Sequence, residues 1–324
     1  VDIMADTLFT HGPDNVTTLI TTTNENRRGE IHDAIFKDLV LLNWLNQKNK
    51  VMVRGGRSIV THLMTGKNTA VKAYSGFDII PTTPQEGFTT SQATWKQYGG
   101  PITVSGREAR VQNAGSSKVF DIVRSKLNQA DRSIKDKVNR DLFKTSQDAK
   151  EIRGLPTLID TSSTIQDINS STSSFWQADV NTGGSFAEQG LADMRTLYND
   201  LSKISPSNPV DLILTTSSIH ESVEGVLQPQ SRFQSMDTGN GSFNNIVFRT
   251  APVVFDNEAN SGVMYMLNSE ALELIMDSAT DFIVTPFEKG TINGQDAEIA
   301  LELAAMELIT PNRRMLGKID SIVD

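Results

Sequence analysis

Residues 89–106 read TTSQATWKQYGGPITVSG, and the way this stretch is buried decides the fold. On either side of Gly99-Gly100-Pro101 the side chains alternate. Ala93, Trp95 and Gln97 face one way and Thr94, Lys96 and Tyr98 the other; then Ile102 and Val104 alternate with Thr103 and Ser105. A period of two in Thr, Trp, Tyr, Ile and Val predicts a half-buried strand, because successive side chains of an extended chain point to opposite faces. Proline offers a ladder no N–H, so Gly-Gly-Pro predicts a bulge or bend within that strand. The nearest partner lies upstream in KVMVRGGRSIVTHLMTG, residues 50–66, where Val51, Val53, Ile59, Val60 and Leu63 form a second run interrupted by Gly55-Gly56. Between the two runs, residues 68–88 are mostly polar, carry Pro81 and Pro84, and read as a loop. The expectation is a long two-stranded arm with a long tip. Such an arm is marginal alone in water, so something else must hold it.

The rest of the chain bounds what that partner is. With 324 residues it can bury one large core or two ordinary ones. No apolar run approaches the roughly 20 residues that span a bilayer, so no membrane is expected as a partner. The start, VDIMADTLFTHGPD, has neither the basic end nor the apolar block of a signal peptide. Cysteine is absent, which excludes disulfides and thiolate metal sites. The net charge of −9 argues against a general nucleic-acid binder. The charge is unevenly spread: residues 1–154 sum to +6 and residues 155–324 to −15. Either these are two independently solvated surfaces, or the basic half of one subunit meets the acidic half of another, since complementary patches steer association.

Residues 1–24 lack periodicity and predict an extended arm. RRGEIHDAIFKDLVLLNWLNQKN predicts a helix with Ile31, Ile35, Leu39 and Leu42 along one face and Ala34 and Leu45 beside it. A long helix over about residues 117–148 follows, with Phe120, Val123, Leu127, Ala130, Ile134, Val138 and Leu142 in one stripe. That stripe is narrow, which favours a helix lying on a sheet over a coiled coil. After Gly154 a Ser/Thr-rich segment contains Leu158, Ile159, Ile165, Ile168, Phe175 and Trp176, which predict an ordered irregular stretch. A helix near 187–201, a strand in VDLILTT and a helix in SSIHESVEGVL suggest a second α/β lobe. NIVFRTAPVVFDNE, VMYMLN, LELIMD and FIVTPF are strand-like, while AEIALELAAMELITPNRRMLGKIDSIV fits either a long closing strand or a helix–strand pair.

A search for chemistry finds little. The chain has no G-x-S-x-G, no G-x-G-x-x-G and no phosphate-binding G-x-x-x-x-G-K-[ST]. HESVE places His220 and Glu224 four apart on a helix, but a zinc helix of the H-E-x-x-H kind needs a second histidine there. An exposed helix face is the plainer reading. No catalytic, cofactor-binding or metal residue is assigned, and no cofactor is expected.

In order, an N-terminal arm, a long two-stranded loop, a long spine helix, an irregular segment leading into an α/β lobe and closing strands resemble the major capsid proteins of tailed double-stranded DNA phages, the Hong Kong 97-type coat fold. VMVRGGRSIVTHLM and ITVSGREAR resemble the two sides of that family's extended loop. RGLPTLI followed by FWQADV resembles the lead-in to its axial lobe, and ESVEGVLQPQSRF, APVVFDNEANSGVMYMLN and LITPNRRMLGKI resemble phrases of its second half. The resemblance spans nearly the whole chain. It implies an α+β fold divided into an N-terminal arm and helix (1–50), an extended loop (51–110), a peripheral domain with the spine helix (111–154), an axial domain (155–261) and a return through closing strands (262–324).

The resemblance also implies a non-enzymatic protein that builds hexamers and pentamers of an icosahedral shell. Its partners would be itself, scaffolding and portal proteins, decoration proteins in some shells, and packaged double-stranded DNA held without sequence reading. Its place would be the virion, with assembly in the host cytoplasm. Some members carry a scaffolding segment that is cut away; nothing here corresponds, so a leader is removed or a separate scaffold is used. Others crosslink a loop lysine to a neighbour, and Lys67 and Lys72 lie in the matching loop without marking a crosslink. On this reading the neighbouring subunit buries the strand holding Trp95 and Ile102, and Arg54, Arg57, Lys67, Lys72, Trp95 and Lys96 are candidate intersubunit contacts. An encapsulin-like compartment, a soluble α/β enzyme and a tail or receptor-binding protein are the alternatives.

Overall fold

The computed structural model describes residues 39–106, 116–227, 246–289 and 296–323. Helix α1 (Val40–Gln47) buries Leu41, Leu42, Trp44 and Leu45 at helical spacing. Asn49 follows it in the left-handed region at φ 55°, which asparagine tolerates better than most residues, and turns the chain into strand β1 (Val51–Arg54). Strands β2 (Ile59–Met64), β3 (Phe88–Ala93) and β4 (Lys96–Ser105) come next. Helix α2 (Ser116–Phe143) has 28 residues, about 42 Å at 1.5 Å per residue. Leu127, Ala130, Ile134, Val138 and Leu142 of its expected stripe are buried; the side chains of Phe120 and Val123 lie outside the described residues, as do the expected N-terminal arm and the helical residues Ile31, Ala34 and Ile35.

A single helical turn at Leu155–Leu158 leads to short strands β5 (Thr164–Ile165) and β6 (Ile168–Asn169), then β7 (Asp179–Thr182), helix α3 (Leu191–Ile204), β8 (Leu212–Thr215) and helix α4 (Ser217–Leu227). Strands β9 (Ile246–Phe248), β10 (Ala251–Phe255), β11 (Met264–Leu267), β12 (Glu273–Asp277), β13 (Ile283–Val284), β14 (Glu288–Lys289), β15 (Ala297–Ile309) and β16 (Gly317–Asp320) complete the chain. The closing segment is therefore a strand of 13 residues, although Ala, Glu, Leu and Met all favour helix. Both of its edges find backbone partners, and that outweighs local preference.

Strand β15 is the axis of the large sheet. β4 runs antiparallel along one edge, β14, β13 and β12 along the other, and β1 lies parallel beyond β12. This corrects the expected pairing of residues 50–66 with 89–106. Only β2 and β3 form a hairpin, while β1 and β4 belong to the sheet. It also corrects the expected bulge: the β4–β15 register runs unbroken from Ser105↔Ala297 to Lys96↔Met306, straight through Gly99, Gly100 and Pro101. Among the described residues β4 has no strand on its outer edge, so Pro101 removes no ladder bond. The glycines serve packing instead. A Cβ on Gly100 would meet Ala130 and Ile134 at an ordinary 3.5 Å, so α2 lies on the sheet there with room for a methyl group and little more. Ile102 is buried there with Leu127, Ala130, Val284 and Ala300. The opening strand is thus covered by its own subunit.

The second sheet has the order β7-β16-β11-β8-β10-β9. Its central strands LILT and MYML are buried on both faces, which explains their continuous apolar sequence. One face, with Ile213, Val253, Met264 and Ile319, packs against Met194, Leu197 and Leu201 of α3 and Ile219 and Val223 of α4. The other face shares a core with α1, α2 and the large sheet through Leu212, Leu214, Tyr265 and Leu267. The irregular segment after Gly154 is ordered around buried Arg313, which donates to the carbonyls of Leu158 at 2.8 Å and Asp160 at 2.7 Å and to the hydroxyls of Ser163 and Ser170, both at 3.0 Å.

Candidate intersubunit surface

The β2–β3 hairpin pairs from Ile59↔Ala93 to Met64↔Phe88, about 20 Å of ladder at 3.4 Å per residue. The ladder is fixed to its own subunit from its base to near its far end. Ile59 packs with Ile275 and Ile309 beside Ala93 and Trp95, and Leu63 packs with Ile168 and Trp176. The Gln92 N–H also donates to the Gln166 carbonyl at 3.1 Å. Gln166 and Asp167 form the two-residue β5–β6 turn, both left-handed at φ 51° and 61°. At the far end the Thr65 N–H donates to the Gly87 carbonyl at 2.8 Å. Gly66 and Gly87 approach so closely there that a Cβ on Gly87 would lie 3.0 Å from the Gly66 oxygen.

Beyond this neck the loop 67–86 is tied by its own polar groups: Thr69 Oγ1 donates to Gln85 Oε1 at 2.9 Å and the Ser75 N–H to Asp78 Oδ2 at 3.0 Å. It turns outward a set of large apolar side chains that touch little. Val71, Tyr74, Phe77, Ile79 and Ile80 are exposed, with Met64 and Phe88 at the neck; Phe77 is 106% and Ile79 85% exposed. Exposed apolar groups clustered in this way mark an interaction surface, since their burial is worth about 25 cal/mol per Å². The sequence reading singled out the loop's cations and passed over these residues. Their signal was a run of apolar residues in an aperiodic, turn-rich loop that no period could assign to a core.

Of the six candidate contacts, Lys67 and Lys72 lie exposed on this tip and Arg57 in the exposed turn at its base. Arg54 ends β1, its guanidinium 3.9 Å from Glu273. Trp95 is half-buried and donates from Nε1 to the Gly56 carbonyl at 2.7 Å. Lys96 is 8% exposed, with Nζ 2.6 Å from the Ala149 carbonyl. Trp95 and Lys96 are therefore engaged inside the subunit. The charge asymmetry is also partly met inside one chain, where basic first-half residues pair with acidic second-half ones: Lys48 with Asp211 at 3.8 Å, Arg54 with Glu273 at 3.9 Å, and Arg140 with Glu258 at 3.6 Å. His220 packs edge-on against Phe255, centroids 5.5 Å apart, and the described residues hold no group of three metal-ligating side chains. No helix among them is long and apolar enough to cross a membrane.

No protein-family model and no curated protein matches the chain in sequence. Solved structures match it in shape. The capsid asymmetric unit of cyanophage A-1(L) superposes with a TM-score of 0.60 at 16% identity, over 85% of this chain and 91% of that one. The capsid of an empty GTA particle gives 0.56 at 10% identity over 85% and 95%. The chain has the phage capsid-protein fold. An encapsulin complex, holo-SrpI from Synechococcus elongatus PCC 7942, shares it with a TM-score of 0.57 at 11% identity over 86% and 87%. At such identities the likeness is one of fold and not of particular side chains.

Proposed function

We propose that the chain is the structural major capsid protein of a tailed double-stranded DNA phage and assembles with itself into hexamers and pentamers of an icosahedral shell. The observation that carries this reading is the projecting hairpin tip with its exposed Val71, Tyr74, Phe77, Ile79 and Ile80 on a capsid-type fold. The tip seats on a neighbouring subunit in a head-to-tail contact, in which one patch meets a different patch and a ring can close. Lys67 and Lys72 lie at the rim of that contact, and Arg57 lies away from it at the base of the hairpin. The large sheet with α2 is the peripheral domain, the second sheet with α3 and α4 the axial domain, and the β2–β3 hairpin the extended loop. Packaged DNA is confined without sequence reading, catalysis plays no part, and scaffolding, portal and in some shells decoration proteins are the further partners, with assembly in the host cytoplasm.

The test follows from the neck geometry. Because Gly66 and Gly87 lie side by side at the neck, a two-residue Asn-Gly turn in place of 67–86 can close the hairpin and keep its register. The deleted protein is expected to melt as the parent does but to sediment as small species where the parent forms shells. A deletion that still forms shells, or one that unfolds the subunit, defeats the proposal. The encapsulin match favours a compartment for protein cargo as the second reading. Shells purified from producing cells separate the two: nuclease-protected double-stranded DNA supports the phage reading, and a stoichiometric protein cargo supports the compartment.

A further inference from the structure

The β2–β3 hairpin leaves the large sheet through two short links, 55–58 and 94–95. The first holds Gly55 and Gly56, the latter at φ 129°. At the base the contact is apolar, with Ile59 against Ile275 and Ile309. A patch at one end of a ladder fixes where a hairpin starts but not where it points, because apolar attraction has no direction. Its direction needs a second hold further out, and the β5–β6 turn provides one. Leu63, about 14 Å along the strand from Ile59, rests on Ile168 and Trp176. Beside it the Gln92 N–H donates to the Gln166 carbonyl at 3.1 Å.

Gln166 is itself held from the other side. Its side-chain amide donates to the Thr310 carbonyl at 2.9 Å and accepts from the Thr310 N–H at 3.3 Å. Thr310 is completely buried and directly follows β15, so Gln166 ties β3 of the hairpin to the end of the strand on which the large sheet is built. These bonds are directional, unlike the apolar contacts around them. Glutamine is a poor residue for the turn: asparagine and glycine suit its left-handed φ of 51° better. Glycine has no amide, however, and asparagine's is one methylene short of Thr310. An unfavourable backbone conformation, kept where the better turn residue would lose a bond, points to a role for that bond.

We propose that Gln166 is the positioning residue that sets the direction in which the hairpin projects, and with it the angle at which one subunit meets the next. The part about the next subunit rests on the reading of the tip as the intersubunit contact; the part about direction concerns the single subunit alone. The apolar contacts hold the ladder down, and the bonds through Gln166 aim it. A slip at Leu63 grows towards the tip, which lies beyond the end of the ladder. Head-to-tail contacts close into a ring only when the rotation between neighbours is fixed, so a hairpin free to swing gives contacts that do not close.

The chain has no cysteine, so two introduced cysteines carry the only spin labels. Met64→Cys at the exposed far end of the ladder and Ser133→Cys on the exposed side of α2 report the hairpin's direction as one distance in the unassembled chain. The parent is expected to give a single narrow distance and Gln166→Gly a broad distribution. A residue that only stabilised the fold would lower the melting temperature and leave the distance alone. That result for Gln166→Gly overturns the proposal, and so does a broad distribution in the parent. If Gln166→Gly does not fold, Gln166→Asn decides on the same readout, since it suits the turn and lacks the reach. Without labels, Gln166→Gly is expected to form open or irregular assemblies where the parent forms closed shells. Normal shells from a chain with a broad distance overturn the link between direction and assembly. The reading of the tip fails on a different result, shells that form without 67–86.

Discussion

Arg313 and Arg314 are adjacent and of the same type, yet one is completely buried and the other exposed. Asn312 starts the turn by accepting from the Arg314 N–H at 3.3 Å, which points the Arg313 side chain into the irregular segment. Burial lowers the Arg313 pKa to about 10, with nearby Asp160 acting the other way, so the guanidinium stays charged at neutral pH. Its bonds to the Leu158 and Asp160 carbonyls and the Ser163 and Ser170 hydroxyls replace secondary structure for that segment. Arg313→Met should therefore cost about 3–5 kcal/mol, because it strands buried acceptors. Arg313→Lys should recover little, since an ammonium lacks the planar fork. Arg314→Ala should stay within about 0.5 kcal/mol. Denaturant titration measures all three, and limited proteolysis within 157–170 should rise only for the Arg313 variants. Nothing in the sequence distinguishes the two arginines, because the difference arises from where β15 delivers the chain.

Strand β4 shows how an element can be recognised and still misplaced. Its alternation was legible, and the period of two continues across Gly-Gly-Pro, so the even-numbered residues Lys96, Tyr98, Ile102 and Val104 all face inward. The same parity puts Lys96 on the inward face from the sequence alone. The partner was not legible, because β15 lies about 200 residues away in a segment rich in helix formers, and local patterning holds no information about such a pairing. The two accounts of the glycines differ in outcome. A bend that needs glycine conformations would be damaged by alanine. In a regular strand, where a Cβ at Gly100 meets Ala130 and Ile134 at an ordinary 3.5 Å, Gly100→Ala should be within about 0.5 kcal/mol of the parent. Gly100→Leu should cost about 1–3 kcal/mol by forcing α2 off the sheet. Thermal melts of the two variants decide between the accounts.

For the whole molecule, the proposed association rests on apolar area more than on charge. The sequence pointed chiefly to cations, but Lys96 is engaged internally, Arg54 faces Glu273, Arg57 lies at the hairpin base, and of the cations only Lys67 and Lys72 remain near the projecting surface. Exposed ion pairs are worth about 0–1 kcal/mol each and are screened, with a Debye length falling from about 10 Å at 0.1 M salt to about 3 Å at 1 M. Apolar burial is not screened. The double variant Phe77→Ser, Ile79→Ser should thus reduce shell yield more than that increase in salt does, and leave the subunit melt unchanged. Sedimentation at both salt concentrations reads this out. Shells that dissolve in salt but tolerate the double variant would return the contact to the charged residues.

The sequence by itself determined the kind and order of the strongly patterned elements, though not of the closing strand: the 3.6-residue stripe of α2, the continuous apolar runs of β8 and β11, the helices α3 and α4, and the turn-rich loop between β2 and β3. Those features are local, and a local period states which face of a segment must leave water. The tertiary structure decided what met those faces. It placed β4 against β15, split the expected arm into a hairpin and two sheet strands, drew Arg313 and Glu307 inside and left Phe77 and Ile79 outside. Periodicity specifies a surface to be buried but not its partner, and the partner is chosen by backbone edges and volumes that meet only once the whole chain is assembled.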